Sequence, residues 1–74
     1  MVEILRTNDL VLIRVIESIL TAERVDYFLA DQNMAAAEGS LGFLPRRILV
    51  DSEEKGRARR LIADAGLGKE LLDG

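Results

Sequence analysis

The residues best equipped for chemistry gather in one stretch, Glu38-Gly-Ser-Leu-Gly-Phe-Leu-Pro-Arg-Arg-Ile-Leu-Val50. Arg46 and Arg47 follow a segment that holds Gly39 and Gly42. Glycine lets a ligand approach the backbone closely. A guanidinium grips carboxylate or phosphate through two parallel hydrogen bonds. Arg46, Arg47, Gly39 and Gly42 are therefore the candidate ligand-binding set, suited to a small anion. The spacing is not that of a phosphate loop, because no Gly-Lys-Ser/Thr follows. The two arginines are also neighbours on an expected strand, so their side chains leave opposite faces and at most one serves a given site. The competing structural reading, which we favour, pairs one arginine with Asp26, Asp31 or Glu38 and lets the other cover the sheet edge.

Those three carboxylates lie in the 32–47 loop or ahead of it. Paired carboxylates can perform acid–base work or hold a cation through oxygen, but their spacing matches no cation loop. The chain contains no His and no Cys. This excludes thiol nucleophiles, Ser-His arrangements, imidazole metal sites and disulfides. We expect no catalytic residue, no metal site and no cofactor. Met34, Phe43 and Leu44 read as a loop anchor or partner-binding patch. Arg57, Arg59 and Arg60 look like a basic patch, yet Glu53–Arg57 and Arg60–Asp64 have i, i+4 spacing, which favours a solvated, paired helix face.

The balance of charge points the same way. The chain of 74 residues has a net charge of −3, which argues against general affinity for nucleic acid. The charge is uneven: residues 1–45 carry three arginines against seven acids, whereas residues 46–60 carry six bases against three acids. No apolar run approaches the ~20 residues of a membrane span, and no leader pattern is visible at the start. The expected compartment is the cytoplasm.

Five elements must position these groups. Val2 to Arg6 alternates and reads as a strand with Val2 and Ile4 on one face and Glu3 and Leu5 on the other. Thr7, Asn8 and Asp9 offer three N-cap candidates for a helix running to about Arg24. Its apolar residues cover about 200° of the wheel, wider than the ~100° stripe one sheet requires. The excess predicts a second contact. Val25 to Asp31 alternates as a second strand. Residues 32–45 show no strong period beyond a helical turn at Met34–Glu38. Arg46 to Val50 is a third strand with Pro45 where it begins. Asp51 with Glu54 resembles a capping box, opening a helix to about Ala65 with Ala58, Leu61, Ile62 and Ala65 on its inner face. Gly66 is the expected C′ residue, and the tail 67–74 has Leu71 and Leu72 to dock but is otherwise free to fray.

The order β-α-β-β-α constrains the sheet. A right-handed crossover makes the first two strands parallel. The third is apolar on both faces at Ile48, Leu49 and Val50, which suits a central position. The expected fold is α+β, one domain over residues 1–74, with a three-stranded sheet ordered 1-3-2 and both helices on one face. This is a ferredoxin-like arrangement without its last strand. The other face, carrying Leu5, Phe28 and Leu49 by this phase, is left uncovered and is the candidate partner-binding surface. A core this small rarely supplies more than ~3–5 kcal/mol without further help, so a homodimer burying that face is expected.

Several of these residues also carry a resemblance. The Thr-Asn-Asp helix start, the strand ending near Asp31, Glu38-Gly39, Gly42, Pro45-Arg46-Arg47-Ile48-Leu49-Val50 and the acidic-capped helix with Ala58 and Leu61-Ile62 resemble a family of short bacterial signal-transducing proteins. That family is similar in fold to PII-like regulators. The resemblance spans roughly residues 2–67. It implies a regulatory role and a PII-like fold, but no motif here matches a nucleotide-contacting one. The functional expectation is a non-catalytic regulatory or interaction module whose 32–47 loop contacts a protein partner or small anion. The alternative is an accessory subunit that docks by its open sheet face and binds no ligand.

Overall fold

A computed structural model describes residues 1–30 and 45–72. The elements are β1 (Val2–Thr7), α1 (Leu10–Ala22), β2 (Tyr27–Ala30), β3 (Arg46–Val50) and α2 (Lys55–Asp64), with short 3₁₀ turns at Ser52–Glu54 and Gly68–Glu70. The sheet order is β1-β3-β2, with β3 antiparallel to both neighbours. β1 and β2 therefore run parallel, as the crossover argument requires. Asp31, the turn expected at Met34–Glu38 and Gly39 to Leu44 lie outside the described residues.

One aliphatic core holds the layers together. Ile13, Ile16 and Leu20 of α1 and Ala58 and Ile62 of α2 meet Ile4, Leu5, Ile48 and Val50 of the sheet, all fully buried. Both helices thus pack on the face that Ile48 and Val50 present.

The strand phase departs from simple alternation at one residue. Glu3 pairs with Leu49 but Leu5 pairs with Ile48, so Ile4 is an extra residue, a β-bulge. A bulge adds a residue to one strand without advancing its partner. Paired residues share a face, so Leu5 joins Ile48 on the helix side beside Ile4. The expectation that Leu5 belongs to the open face is thereby corrected: its side chain is buried core.

The helix ends explain the remaining differences. Asp9 caps α1, its Oδ1 accepting from the Val11 and Leu12 N–H groups at 2.9 and 3.2 Å. Thr7 Oγ1 in turn accepts from the Asp9 N–H. At the far end Arg24 N–H donates to the Thr21 carbonyl and Val25 N–H to the Leu20 carbonyl, with Arg24 at φ 60°. This is a Schellman end, usually built on glycine. Val25 is consumed in closing the helix, which is why β2 begins at Tyr27 rather than Val25. α2 ends the same way, with Gly66 at φ 83° and Leu67 N–H donating to the Ile62 carbonyl. Its start differs from the expected capping box. Asp51 makes no side-chain cap; its carbonyl accepts from the Glu54 N–H, and the chain passes through a 3₁₀ turn before α2.

Candidate functional site: the open face of the sheet

Alternation along β3 sends Arg46 to the helix side, opposite Thr7, and Arg47 to the open face, opposite Arg6 and Ala30. Their side chains do not converge on one ligand. Gly39, Gly42, Met34, Phe43 and Leu44 lie outside the described residues.

On the open face, Arg47 meets an acid that sequence reasoning passed over. Its Nη1 lies 3.8 Å from Glu3 Oε1, while Arg6 Nε donates to Glu3 Oε2 at 2.6 Å. Glu3 keeps only 17% of its side chain exposed, bracketed by two bases. The expected partners were Asp26, Asp31 or Glu38; Asp26 is exposed beyond the end of α1, and the other two lie outside the described residues. The signal for Glu3 was available once the 1-3-2 order was drawn. That order brings β1 beside β3, and Glu3 falls on the face of Leu49 and Arg47.

Phe28 and Leu49 are direct cross-strand partners on the same face. Phe28 is 52% exposed, and no described element packs over the pair. The open face thus combines an apolar pair with a compact cluster of one acid and two bases.

The arginines of α2 have separate duties. Arg57 donates to the Glu23 carbonyl at 2.6 Å and lies near the Glu54 carboxylate, at 3.4 Å. It ties α2 to the end of α1, and its acids are Glu54 and, at 3.9 Å, Glu23 rather than the expected Glu53. Arg59 Nη1 donates to the Leu72 carbonyl at 2.5 Å. These contacts give Arg57 and Arg59 structural work; the expected Arg60–Asp64 pair is not among the ion pairs of the described residues.

The wide apolar arc of α1 is only partly used. Ile13, Ile16 and Leu20 are buried, but Leu10, Val11 and Val15 remain exposed, Val11 at 73%. Among the described residues no helix is long and apolar enough to cross a membrane.

Together these elements make a small α+β domain in which no described element covers the Phe28–Leu49 pair. The family model described as "putative prokaryotic signal transducing protein" matches residues 1–66, and the chain belongs to that family. No curated protein matches it.

Proposed function

We propose that the chain is a non-catalytic interaction module of prokaryotic cytoplasmic signalling that acts as a homodimer joined through its open sheet face. The observation that carries this reading is the Phe28–Leu49 pair set beside Glu3, Arg6 and Arg47 on one surface that no described element covers. A two-fold dimer brings the same patch against itself. A patch with both an acid and bases can satisfy that condition, because Arg47 of one copy can face Glu3 of the other. Stacked sheets lie ~10 Å apart, a spacing that half-exposed Phe28 side chains can fill. The lack of His and Cys supports a binding role over a chemical one.

The test is sedimentation equilibrium on the unaltered chain and on Phe28→Lys. The dimer should form in the first and dissociate in the second, with unchanged circular dichroism. A small-anion role at Arg6 and Arg47 is the second reading, favoured by their shared face. Glu3 already neutralises part of that charge, so the anion reading is the weaker one. A thermal shift with nucleotides or organic acids that disappears in Arg47→Ala would favour it over docking.

A further inference from the structure

β1 is the outer strand on the side away from β2, and an outer strand ordinarily presents unpaired main-chain groups. Here the chain fills its own edge. Leu72 N–H donates to the Ile4 carbonyl at 2.9 Å, and Leu71 lies antiparallel opposite Leu5. Leu71 packs against the core cluster. Arg59 reaches from α2 to the Leu72 carbonyl at 2.5 Å. Main-chain pairing, a seat for one aliphatic side chain and a cationic donor for a carbonyl are together the parts of a strand-addition site for an extended peptide.

The parts of the receptor and its occupant have different standing. Ile4, Leu5 and Arg59 all fall inside the family match to residues 1–66, whereas Leu71 and Leu72 fall outside it. The groove residues thus lie within the family match and the segment seated on them lies beyond it. We propose that the β1 edge with Arg59 is a docking groove for an extended, leucine-bearing segment of a partner protein, and that Leu71–Leu72 occupies it as a displaceable cap. The cap is short: a single bridge with its Leu72–Ile4 hydrogen bond, the Arg59 contact and the seat of Leu71 on the core, after a connection containing Gly66 and Gly68. A longer partner strand can pair along more of the six residues of β1. Because the cap is tethered, it competes at an effective concentration on the order of mM, so a partner must pair more extensively to displace it.

A fluorescein-labelled peptide with the sequence of residues 67–74 serves as the probe, read by anisotropy against the 74-residue chain. It should bind the Leu71→Asp, Leu72→Pro double variant at least tenfold more tightly than the unaltered chain. Adding Arg59→Ala should weaken that binding. A saturable signal of this kind supports the groove; no saturable binding to the folded double variant overturns it. Should that variant fail to fold, amide exchange on the unaltered chain decides instead. The Leu72 amide should exchange at least tenfold faster than that of Ile48, and equal rates would mean that the tail never lifts on its own. A dimer of the unaltered chain that Leu72→Pro alone converts to monomer would assign the groove to the tail of a second copy and overturn the partner reading.

Discussion

Tyr27 is the only tyrosine in the chain, and its hydroxyl donates to Glu17 Oε2 at 3.0 Å. Burial first, and then the Glu17 carboxylate, push its phenol above the ordinary value of 10.0. Both act because a phenolate there would lose solvent and face a negative neighbour. The folded chain therefore holds this proton more tightly than the unfolded chain. The phenol's contribution to stability is intact below about pH 10 and is lost as pH rises beyond it. Titration by phenolate absorbance should give a midpoint above that of free tyrosine, moving only part of the way back in Glu17→Gln because burial is the larger cause. Asp9 is the second residue with a measurable role. As the cap of α1 it satisfies two N–H groups that the helix leaves unpaired. Asp9→Ala should cost about 1 kcal/mol in urea unfolding, and Asp9→Asn far less. Three cap candidates stood in the sequence at Thr7, Asn8 and Asp9; the choice among them follows from where β1 releases the chain. The Glu17–Tyr27 contact was not legible, because it depends on how α1 lies against β2.

At the scale of elements, the two helices end in the same motif with opposite sequence signals. Gly66 was legible as a C′ residue, since glycine adopts positive φ without a Cβ clash. Arg24 was not, because nothing about arginine announces a left-handed backbone. Its conformation is sustained by Val25 and Leu20, both buried at that corner. Arg24→Gly should therefore stabilise the chain by roughly 0.5–1 kcal/mol, the relief of the Cβ clash less the entropy glycine loses on folding. Gly66→Ala should destabilise it by about 1 kcal/mol, for backbone strain alone, because nothing lies within 4 Å of a Cβ built there. Gly56 has equal space within α2 and no special φ. Gly56→Ala should thus stabilise, by up to ~1 kcal/mol. Chemical denaturation of the three variants in parallel checks the signs. The capping box expected at Asp51 and Glu54 gave way to a 3₁₀ turn for a similar reason: the pattern specifies a helix start but not the turn that leads into it.

For the whole molecule, the strand order was legible because Ile48, Leu49 and Val50 are apolar on both faces, and only a central strand needs that. The face assignment was legible for Phe28 and Leu49 and failed at Leu5. Alternation assumes an unbroken pleat, and the bulge at Ile4 inserts one residue that no local composition marks. The consequence for function is direct. Without Leu5, the described part of the open face holds the Phe28–Leu49 pair, Ala30 and the Glu3, Arg6 and Arg47 cluster. Another exposed apolar surface among the described residues, Leu10, Val11 and Val15 on α1, has Arg14 beside it, paired with Glu17 at 2.6 Å. Isotope-filtered NOE spectroscopy on a mixture of labelled and unlabelled chains separates the two surfaces. The account predicts contacts between the Phe28 ring of one copy and the Leu49 methyl groups of the other. Intermolecular contacts confined to Val11 and Val15, or none at concentrations where stable dimers form, would contradict it.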